Sequence, residues 1–193
     1  MDNSPLLRST SLLVKELESY YSGWLGVDQF SGTAERVARM YGEFCWSPAK
    51  IKMELDKQFR TFENGYDEML VAGPMTIWTL CPHHLLPVCF KCWIGYVPSG
   101  KVAGLSKLVR IADIMGKRPI MQEQYSAELA KELEVRLEPK GTAVYLVGSH
   151  GCMASRGVKQ DVPIITSTLK GCLLEAEARS EFFSLVKGGN PCQ

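Results

Sequence analysis

Cys81-Pro82-His83-His84 stands between two stretches rich in β-formers, residues 75–80 and 88–97. Two of the chain's three histidines lie in this quartet, and the third is in His150-Gly151-Cys152. A strand that stops at Cys81 and a second that starts at 88 make the quartet part of a connecting turn. Pro82 fits the second position of such a turn, where a fixed φ is suited. Cys81 and His84, two residues apart, can then aim at one point. Thiolate and imidazole are the ligands zinc prefers, and a remote Cys152 brings the count to three. Three protein ligands leave a fourth position for water, as in a catalytic zinc site. On this reading Cys81, His84 and Cys152 hold zinc, and His83 and His150 remain free for proton transfer.

Blander readings stand beside this one. A cysteine is most often a small buried hydrophobe. A closed structural site is the sharper rival, because Cys89 and Cys92 are also two residues apart and could complete a Cys3His knuckle. Residues 89–97 read as a strand, however, and positions three apart on a strand point to opposite faces. That alternation favours the open site.

Hydrophobic residues make up 46% of the 193 positions and charged residues 22%, which suits one globular domain, with or without a small appendage. A net charge of +1 gives no support for a nucleic-acid or membrane surface, so any anion site must be a local cluster. No apolar run approaches the ~20 residues of a membrane span. The first eight residues lack a signal-peptide pattern. Seven cysteines without regular spacing argue against a disulfide framework and for a reducing, cytoplasmic setting.

The N-terminal part, residues 1–64, reads as helical. Leu12, Leu13, Leu17, Tyr20 and Tyr21 predict an amphipathic helix over 9–22, loosened after it by Gly23 and Gly26. Thr33 is a fair N-cap for a second helix to Phe44, with Val37, Met40, Tyr41 and Phe44 on one face. Ser47-Pro48 caps a third, striped by Ile51, Leu55 and Phe59. These stripes are expected to face the core.

From 65 to 193 the pattern is that of an α+β layer. Gly73-Pro74 marks a bulge or an edge in the first strand. Pro98-Ser99-Gly100-Lys101 predicts a hairpin turn into a short strand over 102–105. Ser106 is expected to cap a helix bearing Leu108, Ile111, Ala112 and Met115, closed by Gly116. Pro119 is expected to open a longer helix with Met121, Tyr125, Leu129, Leu133 and Leu137. Strands over 142–147 and 162–169, a helix over 175–186 and a frayed tail over 188–193 follow.

The stretch Gly104-Leu105-Ser106-Lys107-Leu108-Val109-Arg110 opens a helix, where free N–H groups and a partial positive charge attract anions. Lys107 and Arg110 there oppose the helix dipole unless an anion joins them, and Arg156 can join the same cluster. Gln122-Glu123 fall in the first turn of the longer helix. An acid there is favoured by the dipole, and a carboxylate can also accept two parallel N–H bonds from a guanine edge. The sequence contains neither a P-loop nor a dinucleotide fingerprint.

Taken together, these motifs resemble GTP cyclohydrolase I over roughly residues 30–187. The resemblance is densest in Cys81-Pro82-His83-His84, Gly104-Leu105-Ser106-Lys107, Gln122-Glu123, His150-Gly151-Cys152 and Arg156-Gly157. It implies the tunnelling fold, ββααββ preceded by helices, and a homo-oligomer of stacked rings, commonly a decamer, with active sites at subunit interfaces. It implies zinc on Cys81, His84 and Cys152, one ion per chain, and triphosphate on Lys107, Arg110 and Arg156. It places guanine on Glu123 with Gln122 beside it, and proton transfer on His83, His150 and Ser106. The implied reaction converts GTP and water to 7,8-dihydroneopterin triphosphate and formate. Folate, biopterin and deazaguanine routes can share that step.

The chain departs from the family pattern at Pro82, where an acid is usual, at Gly151, where a bulkier residue is common, and at Thr33-Ala34 in place of Thr-Pro. The short N-terminal region offers no obvious extension for a regulatory partner. Two other readings remain at this stage. One is a related tunnelling-fold enzyme acting on another purine or pterin, and the other is a ring scaffold with structural zinc.

Overall fold

Alternation in the second strand is borne out residue by residue. In β3 (Pro87–Val97), Val88, Phe90, Cys92, Ile94 and Tyr96 are at most 1% exposed and share one face. Cys89, Lys91, Trp93 and Gly95 point the other way. The computed structural model describes residues 4–21, 29–58 and 60–188. Gly23, Gly26, Phe59 and the tail beyond Gly188 lie outside the described residues. The chain divides into two units, Met1–Trp46 and Ser47–Gln193.

The first unit contains α1 (Pro5–Tyr21) and α2 (Thr33–Phe44). α1 begins earlier than its apolar period suggests, because Ser4-Pro5 supplies the start. Pro5 fits the first turn, and the Ser4 hydroxyl accepts the Leu7 N–H at 3.3 Å. Its leucine and tyrosine stripe does not face a core. Leu12, Leu13, Leu17, Tyr20 and Tyr21 are exposed, and Thr10 and Val14 are the buried residues. Thr10 faces α2, its hydroxyl donating to the Ala34 carbonyl at 3.1 Å. A two-helix seam is narrower than the stripe, so most of the stripe is left uncovered by the described residues of this unit. In α2, Val37, Met40, Tyr41 and Phe44 are half-buried. Gly32, at φ 66°, takes the N-cap position expected of Thr33, whose hydroxyl instead accepts from Arg36 at 2.8 Å.

In the second unit α3 (Pro48–Asp56) starts as expected. Ser47 accepts the Lys50 N–H at 3.2 Å, and Ile51 and Leu55 are buried. Then come β1 (Thr61–Glu63), β2 (Leu70–Leu80), β3, β4 (Lys101–Ala103), α4 (Leu105–Met115), α5 (Gln122–Leu137) and β5 (Gly141–His150). A four-residue turn α6 (Gly151–Ala154), β6 (Ile164–Gly171), a 3-10 turn (Cys172–Leu174) and α7 (Ala176–Gly188) complete the unit. The main sheet is antiparallel in the order β2-β3-β5-β6, with α4 and α5 inserted between its two hairpins. This is the ββααββ order of the tunnelling fold, and the fold is α+β. The register shift expected at Gly73-Pro74 lies between Ala72 and Met75, on an edge strand.

Three local expectations are corrected. Residues 101–103 form no hairpin with β3. They pair with β1 in a separate two-stranded sheet, and the Ala103 N–H donates to the Tyr96 hydroxyl at 3.0 Å. β1, too short to show a period, was not read at all. Gly104 occupies the N-cap of α4, so Ser106 lies inside the first turn and caps nothing. Pro119 does not open α5, because it bridges to Leu80 while the Ile120 N–H donates to Leu80 O at 3.1 Å. That stitch delays the helix to Gln122.

Helices cover both faces of the sheet. Tyr125 of α5 packs against Phe90, ring centroids 5.3 Å apart, and its hydroxyl donates to Ala112 O at 2.7 Å. On the opposite face Trp93, Ala143, Leu173, Phe182 and Val186 form a cluster that seats α7. Gly95 is what lets Phe182 approach: a Cβ there would come within 2.6 Å of the ring. Gly95→Ala is expected to lower stability by ~1–3 kcal/mol through overpacking. Thermal unfolding checks this, and an unchanged midpoint would show that α7 can shift at no cost.

Candidate active site

Strand register gathers the site. Leu80 pairs with Pro87, and Val88 pairs with His150, so the end of β2, the start of β3 and the end of β5 fall together. Cys81 is the next residue after β2, and Cys152 lies in α6, just past β5. The turn between β2 and β3 is closed by two backbone bonds, Cys81 N–H to Leu86 O at 2.9 Å and Leu85 N–H to Cys81 O at 2.8 Å. Leu85 is left-handed at φ 53°, a strained conformation of the kind that concentrates at functional sites.

Within this turn the Cys81 Sγ lies 3.6 Å from His84 Nδ1 and 3.9 Å from His83 Nδ1. The ligand atoms of Cys81, His84 and Cys152 all fall within 4.8 Å of one another. Ligands of a tetrahedral zinc are roughly 3.3–3.8 Å apart, so a small contraction would bring all three onto one ion. Two sulfurs and an imidazole are the donor set that zinc selects, and the residues fit the group. Burial pushes the Cys152 thiol above its ordinary range, and Cys81 beside it adds to the shift. The Arg156 charge opposes it. A cation between the two sulfurs would favour both thiolates. Cys89 and Cys92 do not join. Cys92 is wholly buried on the α5 face, Cys89 points the other way, and the closed knuckle does not assemble among the described residues.

His150 is half-buried with Phe90 behind it, ring centroids 6.3 Å apart. Burial holds its pKa below the usual imidazole range, and the Glu123 carboxylate opposes that shift. Its Nε2 lies 2.8 Å from Gln122 Oε1. The stitch of residues 118–120 to the end of β2 sets the start of α5 here. Besides the backbone contacts of Pro119 and Ile120, the Thr79 hydroxyl donates to Arg118 O at 2.6 Å.

The remaining expected residues stand further apart. Glu123 is exposed in the first turn of α5. Ser106, Lys107 and Arg110 occupy the first two turns of α4, with Ser106 and Arg110 exposed. Lys107 donates to Gln58 Oε1 at 3.3 Å and not to any group of the metal turn. Arg156 is exposed just beyond α6. Sequence reasoning missed Gln58, Ile164, Thr166 and Gly148. Their contribution depends on contacts 42 to 49 residues distant in sequence or on the absence of a side chain, neither of which leaves a local pattern. Ser149, whose hydroxyl donates to Asp161 at 2.8 Å, ties down the loop after α6 and was also missed.

Gly151 has a steric reason: a Cβ there would come within 2.7 Å of the Pro87 carbonyl. Gly151→Ala should therefore displace α6 and Cys152. A roughly ten- to hundredfold loss of zinc affinity is expected in a chelator competition titration. Unchanged affinity would mean that Cys152 is placed independently of this contact.

Comparison with known proteins agrees with this geometry. Residues 24–187 match the family model for GTP cyclohydrolase I. The chain is 42% identical over 158 residues to GTP cyclohydrolase 1 of Aquifex aeolicus (strain VF5), covering 81% of this chain and 83% of that one. It is 42% identical over 156 residues to the GTP cyclohydrolase 1 of Sulfurihydrogenibium sp. (strain YO3AOP1), with 80% and 81% covered. The corresponding figures for the Corynebacterium glutamicum (strain R) protein of that name are 38% over 161 residues, with 81% of each covered. The match runs through all four strands of the main sheet, both turns that carry the metal group and α7, and the chain belongs to the GTP cyclohydrolase I family.

Proposed function

We propose that the chain is a zinc-dependent enzyme that converts GTP and water to 7,8-dihydroneopterin triphosphate and formate. The observation that carries this reading is the convergence of Cys81, His84 and Cys152, with His83 in the same turn and His150 two residues before Cys152, in a member of this family. Zinc bound to the trio would supply a water acidic enough to act as a nucleophile at neutral pH. His83 and His150 would move protons during opening of the imidazole ring, since imidazole serves as acid and as base near pH ~6.5. Ser106 would assist these transfers. Glu123 would accept two N–H bonds from the guanine edge. Lys107, Arg110 and Arg156 would hold the triphosphate, and that remote binding energy would orient the purine C8 towards the metal.

A ring-shaped homo-oligomer with shared sites, of the decameric kind, belongs to the same proposal. It is supported by the outer edges of β2 and β6, which pair with no further strand among the described residues, and by the exposed stripe on α1. It is supported too by the absence, among the described residues of one chain, of a bond from Ser106 or Arg110 to the metal turn. A reducing, cytoplasmic location fits a chain whose six described cysteines are all free. No helix among the described residues is long and apolar enough to cross a membrane.

Turnover of GTP by zinc-loaded protein, read as oxidised neopterin fluorescence together with formate, tests the reading. Both products are expected, and zinc without either product would overturn it. Cys152→Ala should lose zinc and turnover together, whereas Cys89→Ala should retain zinc; metal released by the latter substitution would revive the closed site. His150→Ala should keep its zinc and lose ~10²–10⁴-fold in kcat. Undiminished turnover would remove His150 from the proton path.

A further inference from the structure

Gln122, the first residue of α5, is 2% exposed, and a carboxamide at that depth needs partners on both sides. Its Nε2 lies 2.9 Å from the backbone oxygen of Ile164 and 3.1 Å from Thr166 Oγ1. A backbone carbonyl can only accept, so the NH2 must face Ile164. The amide oxygen is thereby turned to His150, 2.8 Å from Nε2. That oxygen also only accepts, so His150 must present an N–H to it. We infer that Gln122 is a positioning residue: it holds His150 in the Nε2–H tautomer and makes Nδ1 the one ring atom through which His150 exchanges protons with substrate.

The surroundings are built for this contact. A Cβ on Gly148 would come within 2.1 Å of Gln122 Oε1 and 3.0 Å of His150 Nε2, so the glycine supplies the space the pair occupies. Ser126 and Thr168 hydroxyls, 3.0 Å apart, hold the next turn of α5 in register with β6. Phe90 limits the ring from behind. The contact therefore depends on α5, β3, β5 and β6 together. In the proton cycle the neutral ring takes a proton at Nδ1 and becomes an imidazolium with N–H on both nitrogens. The bond from Nε2–H to Gln122 persists in both states, so Gln122 never gives or receives a proton. A neutral amide orients the ring without the strong hold on an imidazolium that a carboxylate exerts, which eases return of the proton.

The inference rests on the reading of His150 as a proton carrier. It also commits the Gln122 side chain to the protein interior and leaves Glu123 to meet the guanine edge. Solid-state 15N NMR of the full-length, zinc-loaded protein labelled at histidine tests it, because three histidines give few resonances and His150→Asn identifies one set. The wild type without substrate should show His150 with Nε2 protonated and Nδ1 bare. Gln122→Ala should give mixed tautomers and lower kcat by about ten- to a hundredfold, with KM for GTP within about threefold and zinc retained. Thr166→Val, which keeps the Ile164 bond, should move both readouts less in the same direction, and it carries the test if Gln122→Ala does not fold. An Nδ1–H tautomer in the wild type would overturn the inference. So would a His150 spectrum unchanged in both variants, or a loss confined to KM. The substrate-free spectrum is independent of turnover, so a protein inactive on GTP would sink the proposed reaction while leaving the tautomer result to be judged by itself.

Discussion

Moving β5 by one residue against β3 would dismantle the site. Val88 opposite His150 is the pairing that brings the end of β5 to the turn at Cys81, and every side chain on β5 changes face with a slip of one. The register is held by burial on both sides. Ile94 opposite Val144 and Cys92 opposite Leu146 lie under α5, while Trp93 opposite Tyr145 and Gly95 opposite Ala143 lie under α7. A shift would expose one set and bury the other in the wrong place. The chemistry at the sheet end is thus fixed by packing in its middle.

The helices carry this constraint to the other half of the site. The segment from Arg118 to Ile120 is tied to the last residues of β2, and α5 starts immediately after it. Gln122 therefore enters beside His150 with its orientation already determined by β6. The metal turn and the imidazole pocket are set by one sheet, whereas Lys107 and Arg110 ride on α4, Lys107 bonded to Gln58 and Arg110 exposed. Such a division suits the proposed sharing of sites between subunits, with a rigid reacting centre on one chain and charged groups presented elsewhere.

Most of the fold was legible because its long elements have clear periods. β3 alternates over its whole length, and Tyr125, Leu129, Leu133 and Leu137 mark α5 without ambiguity. The metal trio was legible because all three histidines of the chain stand within two residues of a cysteine or next to a histidine that does, in Cys81-Pro82-His83-His84 and His150-Gly151-Cys152. Failures cluster where local signals compete with tertiary contacts. Pro119 looks like a helix start and is claimed by Leu80. Ser106 looks like a cap, but Gly104 in extended conformation comes first. The apolar stripe of α1 is real, yet the described residues of its own unit give it little to pack against. Gln122 was read with its neighbour as a base-binding pair, and its burial depends on β6, more than forty residues later.

Everything chemical in this account depends on an open metal site made by two thiolates and one imidazole. X-ray absorption at the zinc edge of the loaded protein measures that directly. A shell of two sulfurs, one histidine nitrogen and one further light atom from water is expected, at the ~2.0–2.3 Å distances of a tetrahedral site. A third sulfur in the shell would contradict it, and would make the metal a structural clasp.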